Sequence, residues 1–87
     1  MNNKTKALSE KFKALGHPVR LTIVERLIKH HSDRCNVNKM SEKLNLPQPT
    51  VSQHLSILKR VGIIEAQKDG VNTCYKVIDE QIIRFFK

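Results

Sequence analysis

Apolar residues along the chain fall first at helical spacing and then at alternate positions. Leu8, Phe12 and Leu15 recur at i, i+4 and i+7 ahead of Gly16, which predicts a first amphipathic helix and its stop. Pro18 suits the first turn of a second helix, where its missing N–H costs nothing, and Leu21, Val24, Leu27 and Ile28 form a stripe running towards His30 and His31. Ser32-Asp33-Arg34 breaks the pattern, Cys35-Asn36-Val37 reads as a short extended piece, and Asn38 is expected to cap a brief helix carrying Met40 and Leu44. Pro47 and Pro49 disfavour helical geometry at Leu46 and Gln48. The next helix is therefore expected to use Gln48 as cap and Pro49 as first residue, to bury Val51, Leu55 and Leu58, and to stop at Gly62.

Beyond Gly62 the period drops to two. Residues 63–68 and 71–77 flank Asp69-Gly70, with Ile64 and Ala66, then Thr73, Tyr75 and Val77, on alternate positions, which predicts a β-hairpin. Asp79 is placed to cap a last short helix rich in apolar residues. The predicted order is helix, helix, short strand, helix, helix, hairpin, helix. This is a mainly α chain with a β-hairpin wing, forming one domain over residues 1–87, a length that allows a single modest core.

Two helices joined by a tight turn and followed by a hairpin form a DNA-reading device, in which one helix fits the major groove and the hairpin lies along the neighbouring backbone. On a helical wheel, the side opposite Val51, Leu55 and Leu58 carries Ser52, Gln53, Ser56 and Arg60, with Thr50, His54 and Lys59 at its flanks and Gln48 at its entrance. Hydroxyls and amides can read base edges or hold phosphates, and Lys and Arg add sequence-independent attraction. A solvated helix normally carries glutamate, whereas residues 48–60 contain no acid. Lys68 in the hairpin is a further phosphate contact. His54 lies near the apolar edge and reads equally as a packing residue.

Charge supports a polyanionic partner: sixteen Lys and Arg against eight Asp and Glu give a net charge of +8. No stretch approaches the roughly 18 apolar residues of a membrane span, and the start lacks a secretory signal's layout, so a cytoplasmic, membrane-free protein is expected. No nucleophile–base pair, phosphate-binding glycine loop or paired carboxylates can be assembled, so an enzyme is not expected. Docking on a protein is the alternative, although the helix face lacks the aromatic anchors of protein-binding surfaces.

The segments from Phe12 to Leu21, from Leu44 to Leu55 and from Leu58 to Ile64, followed by Lys68-Asp-Gly and Tyr75, resemble the ArsR/SmtB family of winged helix-turn-helix repressors over nearly the whole chain. The resemblance implies a symmetric homodimer built from the first and last helices, here through Leu8, Phe12, Ile82, Phe85 and Phe86. It also implies a near-palindromic double-stranded DNA operator and release by an inducer. The last helix is shorter than the family usually carries.

Many members of that family sense metals. The residues at the positions of the family's thiolate pair are Asn36 and Asn38, which cannot supply soft anionic ligands. Along the last helix Asp79 is retained, but Gln81 stands at the first histidine position. No metal or cofactor is therefore expected. His30, His31, Asp33 and Cys35 remain as donor types for a metal- or thiol-responsive repressor, although histidines at a helix C-terminus are explained by the helix dipole. Strand parity argues against a Cys35–Cys74 bridge: if Val37, Tyr75 and Val77 face inward, Cys35 turns inward and Cys74 outward.

Overall fold

Asn2 opens the first helix, its side-chain oxygen accepting the Thr5 N–H at 2.7 Å. In the computed structural model, which describes residues 2–87, helix α1 then runs over Asn3–Leu15 and ends at Gly16. His17 caps the next helix, α2 (Pro18–Lys29), by accepting the Val19 N–H on Nδ1 at 3.2 Å, and Pro18 takes the first-turn position expected of it. Ile23, Val24, Leu27 and Ile28 form the buried stripe of α2. Leu21, expected in that stripe, instead lies 39% exposed on the side facing α1 and the last helix, so α2 serves two apolar surfaces.

Between α2 and the next helix the extended piece expected at residues 35–37 does not form. A 3-10 turn covers His31–Asp33, and Val37 already begins helix α3 (Val37–Leu44). The cap is Asn36, whose Oδ1 accepts the Lys39 N–H at 3.0 Å, and not Asn38. A capping asparagine outcompetes a three-residue strand because it satisfies an orphan helical N–H locally, whereas the strand would need a distant partner. Asp33 is fully buried beneath this junction, with Arg26 Nε 2.8 Å from its Oδ2 and Lys43 Nζ 3.7 Å from its Oδ1. Arg34 Nε donates to the Leu27 carbonyl at 2.7 Å, closing the turn against the end of α2.

Asn45 ends α3 in the left-handed region at φ 55, a conformation asparagine tolerates. Helix α4 (Gln48–Arg60) starts one residue earlier than expected: Pro47 occupies the cap position, and Gln48, expected to cap, is the first helical residue. A residue before proline is disfavoured in helical geometry, but in the first turn no hydrogen bond depends on the Pro49 nitrogen, so the helix can include Gln48. Gly62, at φ +85, follows the helix, and the Ile63 N–H reaches back to the Leu58 carbonyl at 3.0 Å.

Strands β1 (Ile64–Asp69) and β2 (Asn72–Val77) pair antiparallel, with Ile64 opposite Val77, Ala66 opposite Tyr75 and Lys68 opposite Thr73. Gly70, at φ +65, makes the two-residue connection with Val71. Ile63, Ile64 and Val77 drive the base of the hairpin into the core, where they meet Ala14, the α2 stripe, Met40, Val51, Leu55 and Leu58. Every residue from Gln67 to Asn72 is exposed, so the tip of the hairpin is held by strand pairing alone. Asp79 caps helix α5 (Glu80–Phe85), its Oδ1 accepting the N–H groups of Gln81 and Ile82 at 3.1 and 3.3 Å, while Oδ2 pairs with Lys11 of α1 at 2.9 Å. Among the described residues, no helix is long and apolar enough to cross a membrane.

Candidate nucleic-acid interface

The inward stripe of α4 fixes which way the rest of the helix points. Val51, Leu55 and Leu58 are buried, and Gln48, Ser52, Gln53, Ser56, Lys59 and Arg60 are consequently exposed together on the opposite side. Thr50 and His54 lie half-buried at the flanks. The hairpin stands beside this face, and two grooves lie between it and α4. One, of about 510 Å³, is lined by Asn36, Asn38, Gln48, Ser52, Asn72 and Tyr75. The other, of about 350 Å³, brings Ser56 and Lys59 of α4 together with Gln67 and Lys68 of β1. Eight of the expected residues are thus gathered on α4, and Lys68 joins them across the second groove.

His54 is committed elsewhere than the other flank residues. Its ring lies 4.8 Å from that of His17, and Arg20 Nη1 approaches its Nδ1 at 3.4 Å while Arg20 Nε donates to the Ala14 carbonyl at 2.8 Å. Burial, then the neighbouring His17 and Arg20, hold the His54 imidazole below its ordinary value of 6.5, so it is uncharged at neutral pH and lacks a cation's pull on phosphate. The geometry accounts for His54 as a packing residue. Arg20, which carries no signal of this role in the sequence, links the end of α1 at Ala14 to His54 of α4, itself standing 34 residues from His54.

The largest departure from expectation adjoins the first groove. Cys35 and Cys74 are joined by a disulfide, against the strand-parity expectation. The parity premise fails because Cys35 lies in a turn ahead of α3, where alternation does not apply, and the chain there runs alongside β2: the Tyr75 N–H donates to the Arg34 carbonyl at 2.7 Å. While this bond is closed, Cys35 has no thiolate to offer a ligand set with His30 and His31, and Asp33 is turned inward to Arg26. Among the described residues, no group of three or more metal-ligating side chains is assembled.

At the other end of the molecule Leu8, Phe12, Ile82, Phe85 and Phe86, the residues expected at a dimer interface, line a single apolar groove of about 460 Å³ with Leu15 and Leu21. Phe12 is 66% and Phe85 79% exposed. Contiguous exposed apolar side chains of this kind mark interaction surfaces in soluble proteins.

A helix-turn-helix with its outward face free and a hairpin alongside defines a class of DNA-binding proteins. Residues 15–67 match the family described as a helix-turn-helix domain. The chain is 39% identical over 84 residues to an uncharacterised HTH-type transcriptional regulator of Methanocaldococcus jannaschii, spanning 97% of this chain and 92% of that protein. It is 40% identical over 76 residues to the HTH-type transcriptional repressor SmtB of Mycobacterium tuberculosis, spanning 87% of this chain and 54% of the repressor. The crystal structure of the transcriptional repressor PagR of Bacillus anthracis superimposes with a TM-score of 0.80 at 30% identity, covering 95% of this chain and 92% of that one. The protein belongs to the ArsR/SmtB family of helix-turn-helix transcriptional regulators.

Proposed function

We propose that the protein is a homodimeric transcriptional repressor that binds a near-palindromic site in double-stranded DNA, without a metal. The observation that carries this function is the acid-free exposed face of α4, with Ser52, Gln53 and Ser56 along its centre and Lys59, Arg60 and Lys68 at the edge. Small hydrogen-bonding groups in the centre of such a face suit base edges, and cations at its rim suit phosphates. The apolar groove formed by α1 and α5 accounts for the dimer: a two-fold pairing there would present two α4 helices to one side of a duplex, with half-sites about 34–36 Å apart or a multiple of that spacing. The relatives named as repressors support the direction of regulation. Gln48 and Thr50, at the start of α4, sit where backbone phosphates approach a helix N-terminus.

The test is selection of duplexes from a randomised pool, followed by footprinting and a salt titration. The expected product is an inverted repeat whose affinity falls steeply with salt. Gln53→Ala should reduce discrimination between selected and random DNA by about 1–3 kcal/mol, as loss of a base contact does. An unenriched pool refutes DNA reading, and equal loss of affinity on both DNAs makes Gln53 a backbone contact instead.

A further inference from the structure

The disulfide lies where the helix-turn-helix and the hairpin meet. Cys35 is exposed in the turn that leads into α3, and Cys74 is half-buried in the middle of β2, opposite Gln67. Among the described residues, the only hydrogen bond that ties the turn and α3 to the hairpin is the one from Tyr75 N–H to the Arg34 carbonyl, one residue from each cysteine. The cystine borders the polar groove whose walls are Gln48 and Ser52 of α4 on one side and Asn72 and Thr73 of the hairpin on the other. Beyond it the hairpin has no packing of its own, since Gln67 to Asn72 are all exposed. The bond therefore sets how firmly the wing is held relative to the face of α4.

A protein that works on chromosomal DNA works in a compartment where glutathione and thioredoxin keep thiols reduced, and the disulfides found there are mostly transient and redox-sensing. A cystine with one residue exposed to solvent, as Cys35 is, is open to approach by small thiols and disulfides.

We propose that Cys35 and Cys74 form a reversible redox modification site, closed by low-molecular-weight disulfides, and that closure raises DNA affinity by fixing the wing. This rests on the DNA-binding function above. The Cys35 thiolate attacks the small disulfide RSSR, forming a mixed disulfide and releasing one RS⁻. The Cys74 thiolate then attacks the Cys35 sulfur, forming the protein disulfide and releasing the second RS⁻. The dithiol is oxidised by two electrons, RSSR is reduced to two RSH, and the two thiol protons pass to the released thiolates. A wing fixed in advance loses less conformational freedom on binding, which is the source of the gain.

The experiment equilibrates the full chain in buffers of reduced and oxidised glutathione, measures the fraction closed by alkylation and mass spectrometry, and measures affinity by fluorescence anisotropy. The probes are 30-bp duplexes selected from a randomised pool separately by the oxidised and the reduced protein. Closure is expected within the span of glutathione buffers, with at least about threefold tighter binding by the closed form. Cys35→Ser/Cys74→Ser should bind like the reduced protein and ignore the buffer. Cys35→Ala, which leaves β2 intact, replaces it if the double variant loses its helical circular dichroism. Affinities equal within twofold, a bond that persists in the most reducing buffer, thiols that stay open in the most oxidising one, or a reduced protein that unfolds would each overturn the proposal. Equal affinities for an enriched duplex would leave DNA reading intact, whereas failure of both forms to enrich any duplex would remove DNA reading and the proposed switch together.

Discussion

Breaking the Cys35–Cys74 bond should cost the protein a large part of its stability even if no other contact changes. The cross-link closes a loop with a sequence separation of 39 residues that contains α3, α4 and β1. In the unfolded chain that loop restricts the accessible conformations, and the chain-entropy relation for a loop of this length gives about 4 kcal/mol of stabilisation at 25 °C. Against the roughly 5–15 kcal/mol typical of a folded domain, this is enough to decide whether the reduced form is well folded or marginal. The assay is urea unfolding followed by circular dichroism, with and without reductant, on the native sequence and on Cys35→Ser/Cys74→Ser. With an m value of about 1–3 kcal/mol/M, the midpoint should drop by roughly 1–4 M on reduction. The double variant should match the reduced protein and be insensitive to reductant. A reduction-induced change below about 1 kcal/mol would refute the loop-closure reasoning, because it would mean that the unfolded chain gains little freedom when the bond opens.

Other residues give independent checks. Burial raises the Asp79 pKa, but the Lys11 hydrogen bond and the Ile82 and Gln81 N–H groups outweigh it and hold the carboxyl below its ordinary 3.8. Its contribution should therefore be present above about pH 4 and lost as pH falls through the lower folded value. Asp79→Ala should cost about 0.5–2 kcal/mol at pH 7 and flatten that acid limb in pH-dependent unfolding. His54 is shifted down from 6.5, so the stability contributed by its neutral form should be intact above pH 6.5 and decline as pH falls towards the lower folded value. An NMR titration placing His54 at or above 6.5 would contradict its burial against His17 and Arg20. Phe12→Ala removes an exposed protomer side chain that a dimer would bury, at about 1.5–3 kcal/mol for each of two symmetric copies. Sedimentation equilibrium should show dimer association weakened at least about a hundredfold with protomer helicity unchanged, and an unaltered association would place the interface elsewhere.

The elements that local chemistry specifies were legible in the sequence. Pro18 at the start of α2, Gly62 after α4 and Asp79 before α5 each act within a few residues of themselves, and the structure uses all three; at the hairpin Gly70 turns as expected, but with Val71, because Asp69 stays in β1 opposite Asn72. The face of α4 was legible for the same reason, since Val51, Leu55 and Leu58 fix its orientation by periodicity alone. Residues 35–37 were misread because an apolar Val37 next to polar neighbours fits a strand edge as well as a helix start, and the choice falls to the Asn36 cap. The disulfide and the Arg20–His54 contact were not legible, because each joins segments more than 30 residues apart whose approach is set by the packed core. Leu21 shows a related limit: periodicity says that a residue is apolar-facing but does not distinguish the core from a second apolar surface.

The distribution of buried side chains along the chain has a bearing on regulation. The core runs from Ala14 to Val77, while the aromatic side chains of the exposed groove come from α1 and α5, with Leu21 of α2 beside them. A protomer can thus complete its interior before meeting its counterpart, and association becomes a separate equilibrium governed by copy number. Where protomers predominate, the abundance of a paired form grows with the square of total protein, so a modest change in synthesis or turnover would be amplified at the promoter without any effector.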